Sequence, residues 1–458
     1  MDITPDLEAN HRDLSEQAHS FLHYAVGNPD LMAQEDFSGY KIFAQDYPFA
    51  VQPWPTFIDK RKLKEVKDAT LGVTRLTKMI PEAIFGNDAK KMADYYGRDE
   101  RMIALQLMEP TGIAHNIVRC DFVDSADKGF KCVEVNTDSC LGGWQINMWP
   151  GAFLKSPTTA GFLKQEGFKP NWRDPVRELL LHMAEETVKQ GVATDTVNLV
   201  IAVDVPEKVS FGMATSYFNK KFDRLKPKLG IEGSIIVCGY NELIQKDNAL
   251  YVGNTRCHTL MHYITLGGKD PDFLFHLFKS GTLTLFNAPV SQLLGDKRNL
   301  ALLSQNAHLP VFSDEDRRII DHHVPWSREL KPGPTTYRGQ EVMLPEFLMA
   351  NRADFVVKAG LGHSGEDVLV GPHTSQEEWD AAIVKVAPSG TWLAQEYLQS
   401  RSHLYLDEHG PARHHSVWGL YDFGTRFAGG FIRVMPEDKG NGVINSACGA
   451  TESIIFVV

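Results

Sequence analysis

The sequence predicts a mixed chain of the α/β (α+β) class, and three observations carry the prediction. Apolar strand-like runs alternate with helical patterns between residues 175 and 286. Two strands with charged faces flank a polar turn at 118–136. A strand, a glycine-rich loop and a second strand follow one another at 355–371. At 458 residues the chain is long for one core, and its size suggests about three lobes.

Taken in order, residues 1 to about 110 carry helical periodicity around 13–25 and 61–79, interrupted by the proline-rich stretch 47–58, with a helix end near 102–109 leading into the first strand. Residues 138–144, Asp-Ser-Cys-Leu-Gly-Gly-Trp, form either a surface on which a substrate lies against backbone or a tight turn into a helix. A helix over 175–190, strands at 197–203, 233–238, 249–253 and 282–286, and a helical stretch at 210–228 read as an α/β unit with parallel pairing. It contains no Gly-x-Gly-x-x-Gly, so no dinucleotide is assigned to it. Residues 325–345 read as a loop-rich link, and 392–398 as an apolar strand interrupted by an acid.

The chemistry-bearing residues begin at Val118-Arg119-Cys120-Asp121-Phe122 and Lys131-Cys132-Val133-Glu134-Val135-Asn136. Side chains alternate along a strand, so Arg119 and Asp121 share a face, as do Glu134 and Asn136, while Val133 and Val135 take the other. The polar turn between the strands suits a hairpin. Its ligand-bearing face offers the hard oxygens of Asp121, Glu134 and Asn136, which suit Mg²⁺ with positions left for water and phosphate. A merely solvated charged face fits the same residues. Downstream, Lys358 precedes the loop Gly360-Leu361-Gly362-His363-Ser364-Gly365. Backbone amides of such a loop can approach phosphate oxygens, with the lysine as a point charge, although Gly-Lys-Ser/Thr is missing. The pairs His322-His323 and His414-His415 have no acid or cysteine at ligand spacing and read as structural, leaving His363 as the histidine placed to approach a nucleotide.

Composition sets the outer bounds. The chain is 43% hydrophobic and 23% charged, as ordinary globular proteins are. Its formal charge of −11 argues against a nucleic-acid surface. No apolar run long enough to cross a membrane and no leader pattern occur, which predicts a cytoplasmic protein. The six cysteines contain no Cys-x-x-Cys pair, so reduced thiols are expected.

Lys297, Lys358, the glycine loop, Gln395-Glu396-Tyr397-Leu398 and Gly429-Gly430-Phe431-Ile432-Arg433-Val434, together with the metal-type hairpin placed first, resemble the circularly permuted ATP-grasp ligases of the glutathionylspermidine and trypanothione synthetase type. The resemblance covers residues 119–136 and 293 to the C-terminus. It implies a permuted ATP-grasp fold with a small central α/β lobe: a substrate lobe over 1–194 that includes the metal hairpin 117–138, a central lobe over 195–290, and a nucleotide-binding region over 291–458. It implies ATP with one or two Mg²⁺ ions as cofactors. The reaction implied is amide formation between a small-molecule carboxylate and an amine through an acyl-phosphate.

In this picture Asp121, Glu134 and Asn136 hold the metal. Lys297, Lys358, Gly362, His363, Ser364 and Gly365 meet the phosphates, and Gln395, Glu396, Tyr397 and Leu398 run along the adenine. Arg119 and Arg433 are the catalytic cations over the acyl-phosphate. Lys297 as an exposed helix lysine, Glu396 as a solvent-facing strand residue and Arg433 as a structural ion pair are the competing readings. No amidase domain is recognisable, and Thr137-Asp138-Ser139-Cys140 lacks the proline-bearing turn of the relatives, which counts against glutathione as the acid. A kinase-like phosphotransferase and a catalytically inert nucleotide-binding protein stay open as alternatives, as does a homodimer.

Overall fold

The computed structural model describes residues 3–36, 38–43, 45–108, 116–139, 141–204, 211–263, 271–362 and 367–458. The expected phosphate contacts His363, Ser364 and Gly365 lie outside the described residues. The chain is a mixed α/β structure with several sheets.

The largest sheet has seven strands and draws them from distant parts of the chain. Its order is Thr56–Ile58, Thr451–Val457, Arg426–Pro436, Gly410–Phe423, Ile117–Ser125, Gly129–Asn136, with His403–Asp407 paired to the start of Gly410–Phe423. All pairs are antiparallel except Thr56–Ile58 with Thr451–Val457. Helix Lys60–Ala83 lies against this sheet. Its N-cap Asp59 accepts from the Lys62 amide at 2.7 Å, and Val66, Ala69, Val73, Leu76 and Ile80 recur at helical spacing as its buried stripe.

The α/β unit has four parallel strands in the order Thr284–Phe286, Thr259–Tyr263, Leu199–Val203, Ile235–Gly239. The pairing is parallel as expected, but the strand expected at 249–253 is not part of it: Ala249–Val252 pairs antiparallel with Leu243–Lys246 and Thr255–Cys257, and Thr259–Tyr263 takes the place in the sheet. A third sheet is antiparallel: Ser327–Glu329, Trp392–Glu396, Phe355–Ala359, Val368–Val370. It carries its own core around Trp379 of helix Gln376–Val386.

The structure corrects several local expectations. The stretch 325–345 is not a link. It forms strand Ser327–Glu329 and the hairpin Gly333–Tyr337/Gln340–Leu344. The helical pattern at 13–25 belongs to two helices, Pro5–Leu14 and Glu16–Gly27, because Ser15 is extended and caps the second through the Ala18 amide. Residues 442–449, which by the family resemblance belong with the closing strands, contain a short 3₁₀ turn, Ser446–Cys448, and the closing strand Thr451–Val457 comes after it. His322 and His323 end a helix, Asp314–His323, so they do not alternate across a strand.

Candidate functional site

The strand pair Ile117–Ser125 and Gly129–Asn136 sets Arg119 opposite Asn136 and Asp121 opposite Glu134. Beyond that point the register slips, and Phe122 faces Cys132. The extra residue is Val133, a bulge that brings it to the same cavity as Glu134 instead of the opposite face. This corrects the strict alternation expected from the sequence.

Asp121 is buried between two guanidinium groups. Arg119 Nε donates to its Oδ1 at 2.8 Å and Nη2 to its Oδ2 at 3.0 Å; Arg433 Nη2 lies 2.9 Å from Oδ2. Asn136 Nδ2 also donates to Oδ2, at 3.2 Å. Burial alone would raise the Asp121 carboxyl, but Arg119 and Arg433 outweigh it and hold it below its usual value. Both guanidinium groups lie over the ring of Phe431, 5.9 and 5.6 Å from its centroid. Arg433 Nε is buried with no hydrogen-bond partner among the described residues.

Phe431 occupies space that only glycines leave. A Cβ on Gly143, whose φ is +88°, would stand 2.1 Å from the ring, and one on Gly419 2.3 Å. The Gly142-Gly143 turn therefore seats the aromatic platform under the arginines, with Tyr421 donating its hydroxyl to the Gly142 carbonyl at 2.6 Å. It leads into the 3₁₀ helix Trp144–Met148, the expected turn into a helix, and Asp138, Leu141, Gly142 and Gly143 also line the cavity.

Lys297 sits one residue ahead of helix Arg298–Asn306 rather than within it. Its position is fixed on both sides. Its amide donates to the Gly360 carbonyl at 2.8 Å. The buried Asp296–Arg298 pair, 2.7 Å at its closest, ties Arg298 to the carbonyls of Tyr95 and Gly390 at 3.0 Å each. Asn287, just after strand Thr284–Phe286, donates to the carbonyls of Ile117 at 3.0 Å and Thr137 at 2.6 Å, locking this segment to both strands of the hairpin. Lys297 Nζ consequently reaches Glu134 Oε1 at 3.1 Å and the Gly362 carbonyl at 2.7 Å. Lys358, from strand Phe355–Ala359, donates to the Val133 carbonyl at 3.1 Å and to Gln395 Oε1 at 2.8 Å. Burial pushes its ammonium down to about 8; Glu134 opposes that shift and Lys297 adds to it.

These groups line one cavity of about 550 Å³, a size suited to a nucleotide with a second small molecule. Every candidate residue within the described stretches lines it: Arg119, Asp121, Glu134 and Asn136; Lys297, Lys358 and Gly362; Gln395 through Leu398; and Arg433. One wall is apolar, built from Val123, Val133, Leu398, Val417 and Ile444. Glu396 is spoken for: Lys128 and Arg338 lie 3.2 and 3.0 Å from its Oε1, and the Tyr337 hydroxyl donates to it at 3.2 Å. The Tyr397 amide donates to the Asp354 carbonyl at 2.7 Å and is thereby taken, while its carbonyl accepts from Lys128 at 3.0 Å and keeps a second lone pair.

Sequence reasoning missed Glu452. It pairs across the sheet with Arg433, lines the cavity while 2% exposed, and accepts from the hydroxyls of Tyr47 and Ser446. Burial raises its carboxyl above the usual value. The signal was present: an acid inside the run Thr451-Glu452-Ser453-Ile454-Ile455-Phe456-Val457, where any strand face ought to be apolar.

No protein-family model matches the sequence, and neither does any curated protein. Among solved structures the chain is similar to a glutathione synthetase-like effector from Globodera pallida, solved in its apoform, with a TM-score of 0.59, 12% identity and all of both chains covered. At that identity the likeness speaks for the fold alone, and the fold of this chain is glutathione synthetase-like.

Proposed function

We propose that the chain is an ATP-dependent carboxylate–amine ligase of a circularly permuted ATP-grasp type, related in its site to the glutathionylspermidine synthetases. One observation carries the reading. Carboxylate and amide oxygens from residues 121–136 meet two lysines from residues 297–358 in a single cavity, with Lys297 3.1 Å from Glu134 and Lys358 3.1 Å from the Val133 carbonyl. Seven carboxylates and five lysine or arginine side chains line the cavity; the group Arg119, Lys297, Lys358 and Arg433 within it suits a polyanion, and the apolar wall suits a planar base.

The donor set fits Mg²⁺, since Asp121, Glu134 and Asn136 offer carboxylate and amide oxygens and Asp121 is held ionised. Bound there, Mg²⁺ would screen phosphate charge. Lys297 and Lys358 bind the phosphate chain. Arg433 and Arg119, both on the cavity wall, orient the substrate carboxylate for attack on the γ-phosphorus. The P–O bond to ADP breaks as the carboxylate–phosphorus bond forms. An amine then attacks the acyl carbon, phosphate leaves with the C–O electron pair, and the amine gives up a proton. Phe431 keeps both arginines planar over the charge that grows in these steps.

The test is ADP release by the purified chain with MgATP and a panel of acids and amines, with products read by mass spectrometry. Ligase action requires ADP release that depends on both partners and a product of amide mass. Arg433→Met should lower turnover by roughly 10²–10³-fold. A phosphorylated acid accumulating without any amine requirement would assign a phosphotransferase instead. ATP binding with no turnover across the panel would assign an inert nucleotide-binding protein.

A further inference from the structure

Away from the cavity, helix Glu16–Gly27 carries His19 and His23 one turn apart, on the same face. The break at Ser15 folds helix Pro5–Leu14 back alongside and brings Glu8 to the same point. His19 Nε2 and His23 Nε2 are 3.2 Å apart, and His23 Nε2 is 3.4 Å from Glu8 Oε1. One ligand atom from each of the three lies within 4.8 Å of the other two, and no other such group occurs among the described residues. With metal–ligand bonds of about 2.0–2.1 Å, neighbouring ligand atoms of a tetrahedral zinc site stand roughly 3.3–3.4 Å apart. The measured separations match that edge.

The hydrogen bonding bears on the same point. Arg12 Nη2 lies 2.9 Å from His19 Nε2, and a guanidinium can only donate, so His19 Nε2 presents a lone pair. His23 Nε2 faces that lone pair and the Glu8 carboxylate, so a proton on it is what an incoming cation replaces. Arg12 need not stay, because Glu16 Oε1 lies 3.6 Å from its Nε and offers another acceptor. The cluster is open to solvent, with the side chains of His23 and Glu8 46% and 39% exposed, so water can complete the coordination.

We propose that Glu8, His19 and His23 bind a divalent transition-metal ion of the zinc class, which cross-links the first two helices. Two imidazoles and one carboxylate favour Zn²⁺, Ni²⁺ or Cu²⁺ over Mg²⁺, which prefers the all-oxygen set of Asp121, Glu134 and Asn136. Helix Pro5–Leu14 is held to the C-terminal strands by Asn10, donating to Ser402 at 2.9 Å, and by Arg413, donating to Thr4 at 3.0 Å. A metal clip would therefore secure helix Glu16–Gly27 to the same anchored hairpin.

The experiment is calorimetric titration of the full chain with ZnCl₂ in buffer containing excess Mg²⁺. The expected result is one zinc per chain with a Kd on the order of 1 μM, and a raised melting midpoint. His23→Gln and Glu8→Gln should each weaken binding at least tenfold while melting like the parent without zinc; Arg12→Ala should bind as tightly or more tightly. Co²⁺ in the same site should give the intense visible bands of a four-coordinate ion in the parent and lose them in His23→Gln. Absence of saturable zinc binding overturns the proposal. So does an unchanged titration in His23→Gln, which would place the zinc elsewhere, for instance at the exposed Cys448.

Discussion

Lys358 shows most directly how burial tunes the site. Its folded-state value of about 8 lies below the ordinary lysine value near 10.4, because desolvation disfavours the ammonium more than Glu134 favours it. The sign follows. Between about pH 8 and 10.4 the unfolded chain keeps this proton and the folded chain does not, so this group adds stability as pH rises through that window. On the proposed reading phosphate binding runs the other way, since the ammonium charge is lost as pH rises above about 8. ATP affinity, followed by calorimetry from pH 6.5 to 9.5, should fall through a step centred near 8. Lys358→Met should remove the step and bind ATP about 10–100-fold more weakly at pH 7. A variant that keeps the same pH profile would exclude Lys358 as its source. Lys358 could be picked out in the sequence by its place before a glycine loop, but its depressed value could not, because that depends on Val133, Gln395 and Lys297 folding around it.

Elements with strong periodicity were legible: the parallel unit, the paired strands at 117–136 and the strand–loop–strand at 355–370. The hairpin 333–344 was not, because its strands are half exposed and proline-bearing, with no alternation to read. Nor could the bulge at Val133 be read, since only pairing with Ile117–Ser125 reveals an extra residue. The anchor between helix Lys60–Ala83 and that strand was equally hidden. Lys62 is 1% exposed and its Nζ lies 2.6 Å from Asp124, with Asp13 at 3.1 Å and Glu65 at 3.2 Å; Arg401 reaches the same Asp124 at 3.1 Å. A lysine among apolar helix positions reads as surface until its partners appear. Lys62→Met leaves Asp124 buried with one cation instead of two, and denaturant unfolding should show a loss of about 3 kcal/mol. Asp121 and Val123 face the cavity and Asp124 does not, so ATP binding by the folded variant should stay near that of the parent. A loss under about 0.5 kcal/mol would mean that Arg401 alone compensates Asp124.

At the scale of the whole molecule, the site exists because one sheet joins segments about three hundred residues apart or more. Ile117 through Phe122 pair with Phe423 through Trp418, and Thr56–Ile58 closes on Ile455 through Val457. The main core likewise draws on residues from Leu14 to Phe456, leaving out the stretch between Val324 and Leu404. The antiparallel sheet around Trp379 differs, since its strands and its core residues all fall between 326 and 396. Cutting the chain should expose that difference. In a fragment of residues 291–458, Gly410–Phe423 loses the strand that covers one edge and Thr451–Val457 loses Thr56–Ile58. Hydrogen exchange read by mass spectrometry should then find the 327–396 amides protected and those of 403–457 exchanging as in an open chain. Adding a fragment of residues 1–290 should restore protection to 403–457, and ATP binding with it, because Asp121, Glu134 and Asn136 arrive on the missing strands. Full protection of 403–457 in the isolated fragment would mean that the C-terminal strands form their own core, and that the hairpin carrying the oxygen ligands docks onto a sheet already made.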